Sequence, residues 1–531
     1  MRQHHRTPRL LVTLLLVAAA GISAVGAAPP AADRTATPLG QVVPAPASVH
    51  ASGPAYRITS DTRIRIDDDS REARRVGEYL ADILRPSTGY RLPVTSHDGG
   101  SIRLRLGGTG LGDEGYRLDS GRDGVTITAG KPAGLFHGVQ TLRQLLPASV
   151  EKNSPQPGPW LVAGGTIKDT PRYGYRGAML DVSRHFFTVS QVKRYIDELA
   201  LYKVNKLHLH LSDDQGWRIA IDSWPRLATY GGSTQVGGGQ GGYYTKAQYK
   251  EIVQYAASRY LEVVPEIDMP GHTNAALASY AQLNCDGVAP SLYTGTDVGF
   301  SSLCVAKPVT YDFVDDVIRE LAAITPGTYI HVGGDEAHST SHADYVAFMD
   351  KVQPIVAKYG KTVIGWHQLT GATPAKGAIA QYWGLDDTSA EEKAQVAKAA
   401  QNGTGLVLSP ADRLYLDMKY TADTPLGQDW AGLVEVKRSY DWDPGNYLPG
   451  APSSAIRGVE APLWTETILN SAHIDYMTFP RLPGAAELGW SPASTHDWDT
   501  YKVRLAAQGP RWEALGIGYY RSPQVPWPAS R

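Results

Sequence analysis

Apolar positions along the chain follow two rhythms. Residues 56–66 alternate apolar and polar like a half-buried strand. Residues 70–84 repeat at helical spacing, 102–106 and 125–129 alternate again, and 135–146 are helical. This order predicts a small α+β domain over 42–165. From about residue 167 the rhythm changes. Short apolar runs at 177–181, 206–211, 262–267, 329–332, 362–366, 378–383, 405–408 and 458–464 are separated by helical stretches such as 189–202, 246–258, 311–323 and 343–358. Eight βα units predict a (β/α)8 TIM barrel over 166–515, so the fold class is α/β with a small α+β domain in front. A doubly wound open sheet is the alternative. No glycine-rich nucleotide loop follows the first run, which counts against it. Residues 516–531, rich in Pro and Gly, read as surface coil.

The N-terminus reads as an export signal over 1–28. Arg2, Arg6 and Arg9 precede an apolar stretch at 10–20, and Gly26, Ala27 and Ala28 offer a cleavage site. Gly21 and Ser23 hold that stretch below the ~20 residues a membrane span requires, against a retained anchor. Residues 29–41, rich in Ala, Pro and Thr, read as a disordered lead-in. The mature protein is therefore expected to be secreted and extracellular, with no membrane contact once the signal is cut. Cys285 and Cys304 are the sole cysteines. A lone pair in an exported chain is expected to form a disulfide, worth about 3 kcal/mol in the chain-entropy picture.

Composition narrows the function. Apolar residues at 42% and charged residues at 20% exclude wholesale disorder, and a formal charge of −2 excludes the basic face that nucleic acid demands. With 12 Trp and 29 Tyr against 7 Phe, the aromatic content favours amphipathic rings suited to a polar-ringed ligand.

In a barrel, chemistry gathers where the strands end. The eight runs are followed by Asp181, Arg184 and His185; Asp213 and Asp214; Glu266, Asp268 and His272; Asp335, Glu336 and His338; Trp366; Trp383; Asp412, Tyr415 and Asp417; and Trp464 and Glu466. Several carboxylates, one Arg, one Tyr and three Trp describe a sugar pocket, with rings for C–H faces and carboxylates for hydroxyls. Cleaving a glycosidic bond needs a protonated carboxyl on the leaving oxygen and a partner for the developing cation. Asp335 and Glu336 are adjacent and diverge at a strand end, so they cannot face each other across the bond as the usual carboxylate pair. Tyr415 and Asp417, two apart on an extended segment, face the same way.

These residues resemble a known family. His331-Val-Gly-Gly-Asp-Glu336, with Asp181-Val-Ser-Arg-His-Phe186, His210-Leu-Ser-Asp-Asp214, Pro265-Glu-Ile-Asp-Met-Pro-Gly-His272 and Trp464-Thr-Glu466, looks like the family 20 glycoside hydrolases, the β-N-acetylhexosaminidases, and most like secreted bacterial members. The resemblance implies a retaining, exo-acting enzyme that removes terminal β-linked GlcNAc or GalNAc from chitooligosaccharides or glycan ends, without a cofactor or metal. It implies substrate-assisted catalysis, in which the 2-acetamido oxygen attacks the anomeric carbon to give an oxazolinium. Glu336 would then be the acid/base, Asp335 would hold the acetamido N–H, and Tyr415 would donate to the acetamido oxygen. Trp366, Trp383 and Trp464 would wall the pocket. Arg184 would take the 3- and 4-hydroxyls, and Asp417 and Glu466 the 4- and 6-hydroxyls. Asp213, Asp268 and His272 would orient the acid from behind, although His272 also reads as a structural histidine. Trp430 reads either as shaping the leaving-group side or as ordinary packing.

Three other readings compete. His208 and His210, two apart on a strand, resemble the zinc ligands of amidohydrolases, but they sit on the second strand and no carboxylated-Lys candidate is evident. A non-catalytic sugar-binding barrel is countered by the presence of Glu336, Asp335 and Tyr415. A disaccharide-releasing, lacto-N-biosidase-like member would need an extra subsite, whereas Arg184, Asp417 and Glu466 together argue for a closed pocket around one sugar.

Overall fold

A computed structural model describes residues 36–67, 70–96 and 99–529. The expected signal at 1–28 and residues 29–35 lie outside the described residues.

Before the barrel come β1 (Ser48–Ala51), β2 (Tyr56–Ile58), β3 (Ile64–Ile66), β4 (Val94–Thr95), β5 (Ile102–Leu106), β6 (Tyr116–Gly121), β7 (Gly124–Ala129), β8 (Trp160–Val162) and β9 (Gly165–Asp169). They form a mixed sheet in the order β1-β9-β6-β7-β5-β3-β4, with β2 and β8 paired separately. The alternating run at 56–66 divides into β2 and β3 because the chain turns between them, Thr62 N–H donating to the Thr59 carbonyl. Strands β1, β4, β6, β8 and β9 were not evident in the pattern. They are short or, like the Asp-Ser-Gly end of β6, carry turn-type residues that mask alternation.

Helix Arg71–Thr88 is capped by Ser70 and closed by Gly89 in the left-handed region at φ 70°. It packs with helix Pro132–Leu145 on one face of the sheet. Leu80, Leu84, Leu135 and Val139 are buried in one core with Ile64, Ile102, Leu118 and Ile127. The opposite face shows Arg103, Arg105, Arg117 and Lys168 to solvent.

The eight later runs become β10 (Tyr175–Asp181), β11 (Lys206–His210), β12 (Glu262–Glu266), β13 (Tyr329–His331), β14 (Thr362–Trp366), β15 (Ile379–Tyr382), β16 (Gly405–Leu408) and β17 (Ile456–Leu463). They close, all parallel, into a barrel in sequence order, with β17 bonded back to β10. Helices Val189–Leu201, Lys246–Ser258, Pro308–Ile324, His342–Lys358 and Ala390–Gln401 cover it. The crossover from β14 to β15 departs from the predicted repeat. It holds only the 3-10 turn His367–Gly371, because Gly371, Pro374 and Gly377 leave no uninterrupted helical stretch.

The barrel interior changes character along its axis. Tyr175, Val264, Ile364, Ile379 and Val407 form an apolar plug at the end where the strands begin. Towards the other end the inward positions become polar: His208, Gln381 and Glu460, then His210, Glu266, His331 and Trp366, all fully buried.

Two terminal expectations are corrected. Residues 36–41 are ordered, not a loose lead-in: Thr37 bridges to Val162 and Leu39 is 2% exposed. The apolar Leu39, Val42 and Val43 find cover beneath helix Pro132–Leu145, where Gln144 exchanges hydrogen bonds with the Val43 backbone at 2.9 and 2.6 Å. The tail beyond 516 is irregular as expected, but it is not mere surface. Ile517 and Val525 are buried, and Trp527 packs 5.9 Å from Trp512. Cys285 and Cys304 are disulfide-bonded. Among the described residues no helix is long and apolar enough to cross a membrane.

Glu487 ties both ends of the described chain to the barrel. It accepts from both guanidinium nitrogens of Arg504 at 2.6 Å, from Ala45 N–H at 2.9 Å and from the Tyr440 hydroxyl at 2.9 Å. Glu487→Ala would strand a buried guanidinium, so a loss of about 3–5 kcal/mol is expected in urea unfolding. A loss within measurement error would mean that Arg504 finds water or another acceptor.

Candidate active site

The site is assembled where the barrel strands end, beginning with Asp181 at the end of β10. Its Oδ1 accepts the N–H groups of Ser183 (2.8 Å) and Arg184 (3.1 Å), which folds the chain back on itself. The Arg184 guanidinium then lies 3.3 Å from Asp181 Oδ2 and 3.1 Å from Asp213 Oδ2. Gln215 accepts its Nε–H at 3.1 Å, and the Trp464 ring lies 4.9 Å beneath it. Burial disfavours this charge, but Asp213, Asp181 and Glu466 outweigh burial and hold the guanidinium firmly protonated.

The loop after β13 requires its glycines. Gly333 and Gly334 have φ of 64° and 98°, and a Cβ on Gly333 would fall 1.8 Å from Asp268 Oδ1. Gly334 N–H donates to that same oxygen at 3.0 Å. The next two side chains diverge as expected. Asp335 is buried, while the Glu336 side chain keeps 27% of its exposure. Glu336 and His272 both hold positive φ, 45° and 55°, in a region costly for residues with a side chain, and the two meet at 3.1 Å.

Charges around this pair are arranged in opposition. Burial favours a protonated Asp335, but His272, 3.5 Å away, prevails and holds its carboxyl below the usual range. Burial and the neighbouring Asp335 push Asp268 well up, so the proton of this pair resides on Asp268. Asp213 is held well below the usual range, against burial, by Arg184 and His272. On the far wall, burial raises Glu466, and burial together with Glu466 raises Asp417 well above the usual range. Burial, then Asp335 and Asp417, push the Tyr415 hydroxyl well up, which keeps it a donor.

A cavity of about 200 Å³ lies over these groups. Of the residues singled out in the sequence, Arg184, His272, Asp335, Glu336, Trp383, Tyr415, Asp417, Trp430, Trp464 and Glu466 line it. Asp213 and Asp268 lie behind, in contact with liners. Trp366 differs from expectation: it is fully buried, 5.8 Å behind Trp464, because its indole N–H is tied to Glu266 at 2.9 Å. His272 is no remote structural histidine, since it lines the cavity and touches Glu336. Trp430, 48% exposed and edge-on to Trp383 and Tyr415, stands at the mouth rather than in the core.

Thr296, Val298 and Gln428 also line the cavity and were not anticipated. They sit on loops whose composition carries no periodic signal. The first two belong to the segment stapled by Cys285–Cys304. His208 and His210, whose spacing admitted a metal reading, have both ring nitrogens facing carboxylates: Glu266 and Glu460 for His208, Glu266 and Asp213 for His210. The arrangement as a whole can grip one sugar ring through Arg184, Asp417 and Glu466, offer a donor at Tyr415, and present Glu336 at the open edge.

Comparison with known proteins gives a consistent answer. The profile described as "Glycosyl hydrolase family 20, catalytic domain" matches residues 173–493, and "Glycosyl hydrolase family 20, domain 2" matches 40–170. A β-N-acetylhexosaminidase of Cellulomonas fimi is 42% identical over 492 residues, covering 92% of this chain and 97% of that protein. The solved GH20 β-N-acetylhexosaminidase from Streptomyces coelicolor A3(2) is 78% identical with a TM-score of 0.92, covering 93% of this chain and all (100%) of that one. A mutant Streptomyces plicatus β-hexosaminidase, solved in complex with the product GlcNAc, is 78% identical with a TM-score of 0.93, covering 94% and 99%.

The Asp268 proton has a measurable signature. A carboxyl whose folded pKa is raised costs the fold stability as pH climbs from its unfolded value of about 3.9 towards the folded one. Asp268→Asn removes that loss. The stability of the variant relative to wild type is expected to rise by about 1.4 kcal/mol per pH unit across this window, read by urea unfolding at several pH values. A pH-independent difference would place the proton elsewhere.

Proposed function

The chain belongs to glycoside hydrolase family 20; it is a β-N-acetylhexosaminidase, and we propose that it works outside the cell, releasing one terminal GlcNAc or GalNAc at a time from chitooligosaccharides or glycan ends. The observation that carries the reading is the adjacency of Asp335 and Glu336 with Tyr415 in one cavity. Two divergent neighbours suit a reaction whose nucleophile comes from the substrate.

The sugar enters with its 3- and 4-hydroxyls on Arg184, and Asp417 and Glu466 take the 4- and 6-hydroxyls. With Asp417 raised beside Glu466, the two carboxyls can share a proton, so one can donate to a hydroxyl while the other accepts. Trp383 and Trp464 flank the acetamido group, and Trp366 backs Trp464. Asp335, kept ionised by His272, accepts the acetamido N–H. It thereby turns the carbonyl oxygen towards the anomeric carbon and stabilises the positive charge that the group acquires. Tyr415 donates to that oxygen. Glu336, at the open edge, gives its proton to the leaving oxygen and, once the oxazolinium has formed, takes one from the incoming water. Two inversions retain the configuration. Export is supported by the leader pattern at 1–28 and by the disulfide across 285–304. Cavity volume and the Arg184, Asp417 and Glu466 grip favour exo action on one residue over release of a disaccharide.

The decisive experiment compares an aryl β-N-acetylglucosaminide with the matching aryl β-glucoside, which lacks the acetamido group. Cleavage confined to the first is expected. Comparable cleavage of both would require an enzyme nucleophile and would withdraw the roles given to Asp335 and Tyr415.

Glu336→Gln is expected to lower cleavage of sugar aglycones by about 10²–10⁴-fold while sparing part of the rate on activated aryl leaving groups, which need little protonation. Equal losses on both substrates, measured side by side, would sink the acid assignment.

A further inference from the structure

Beneath the active site, acid and base side chains alternate without a gap. Glu460 Oε1 lies 2.7 Å from His208 Nδ1, and His208 Nε2 lies 2.9 Å from Glu266 Oε2. That same oxygen is 2.5 Å from His210 Nδ1, and His210 Nε2 is 2.6 Å from Asp213 Oδ2. Asp213 Oδ1 is 3.1 Å from His272 Nδ1, and His272 Nε2 is 3.1 Å from Glu336 Oε2. A ring whose two nitrogens both face ionised carboxylates donates from both, so His208 and His210 have the geometry of imidazolium ions, and His272 faces Asp213 from Nδ1 and both Glu336 and Asp335 from Nε2. Glu266 stands at its branch point: its other oxygen accepts the Trp366 indole N–H at 2.9 Å.

We propose that Glu266 and His210, which the catalytic scheme above leaves idle, are positioning residues that hold His272 charged and aimed at Glu336 while fixing the indole behind the acetamido pocket. The inference rests on the acid/base reading of Glu336. When Glu336 releases its proton, the carboxylate it becomes meets the His272 N–H. Asp213 keeps that N–H in place, but Asp213 is also claimed by Arg184 at 3.1 Å. The second imidazolium, His210, binds the other edge of Asp213, and Glu266 holds it there. Glu266, His210, Asp213 and His272 are all buried, so none of these four can turn to water when its neighbour is lost.

The other charged and polar neighbours fit this order. His210 meets the Trp464 ring edge-on at 4.8 Å. Asp335 adds negative charge on the Glu266 side, while Asp268, pushed up by burial and Asp335, does not; His331 Nδ1, which accepts the Gly333 N–H at 3.0 Å, lies 3.1 Å from Glu266 Oε1. Burial disfavours the charged form of His208 and His210, but Glu460 and Glu266 bring His208 up to about 9, and Glu266 and Asp213 carry His210 well above the ordinary imidazole value.

Glu266→Gln tests this because an amide oxygen can still accept from Trp366 but carries no charge. With an aryl β-N-acetylglucosaminide, kcat is expected to fall about tenfold, the scale at which a buried network modulates a distant group, with KM little changed. The pH profile of kcat should gain an inflection near the ordinary imidazole value, about 6.5, as His210 begins to titrate. Glu266→Leu, which also frees the indole, should raise KM as well. A Glu266→Gln profile and rate matching wild type would overturn the proposal. Should the variants fail to fold, the wild-type proton spectrum decides. The hydrogen-bonded imidazole N–H signals of His208 and His210 are expected to persist unshifted from about pH 5 to 8, and titration within that range would overturn it. A wild type inert towards the aryl substrate would defeat the function proposed above, and the same proton spectrum would still decide the charge order.

Discussion

Charge buried in the barrel axis must be answered by charge, and the site depends on how that demand is met. Barrel interiors are commonly filled by layers of branched apolar side chains. Here only the end where the strands begin is filled that way, by Val264, Ile364, Ile379 and Val407 with Tyr175. Above that plug, Glu460, Glu266 and Asp213 interleave with His208 and His210, all nearly or wholly inaccessible to solvent. An unpaired ion at that depth would cost several kcal/mol. Pairing removes the cost only when every lone pair and every N–H has a partner. The resulting order leaves Arg184, Asp335 and His272 little freedom. Their charges and orientations are set from below before any substrate arrives, which is what electrostatic preorganisation requires.

The same demand accounts for the local backbone. Asp268 comes close under the β13 loop, where its Oδ1 accepts the Gly334 N–H, and only a residue without Cβ leaves room for it at Gly333. Glu336 and His272 accept strained φ values to meet. The tight turn and the strain are two results of one requirement, that Asp335 and Glu336 leave one strand end in different directions.

Much of this was legible in the residues. The barrel strands announce themselves because buried parallel strands are short continuous apolar runs, and six of the eight were followed by a group that lines the cavity, the second and fifth by Asp213 and Trp366, which lie behind it. The residues that chemistry marks, such as Arg184, Asp335, Glu336, Tyr415 and Glu466, line one cavity. Other features were hidden for physical reasons. Trp366 could not be told from a wall residue, because its depth depends on a hydrogen bond to Glu266 from another strand. Glu266 itself lay inside an apolar run, where a carboxylate reads as an interruption until the two histidines opposite it are known. Thr296, Val298 and Gln428 reach the cavity on irregular loops. The weaker strands of the first sheet, and the ordered segment at 36–41, take their shape from tertiary cover that no local pattern records.

The Glu487 contacts bear on how separable the parts of this protein are. Residues 42–45 belong to the segment that leads into the first sheet, yet their backbone is bound by Glu487 and Arg504, which come after the last barrel strand. The polypeptide thus leaves the small sheet, builds the barrel and returns to grasp its own beginning. A barrel excised at the start of β10 would carry an exposed apolar seam and a carboxylate–guanidinium pair stripped of its backbone partner. The first sheet is for this reason not a detachable appendage to be swapped between hydrolases. It closes the clasp that holds the catalytic scaffold in one piece.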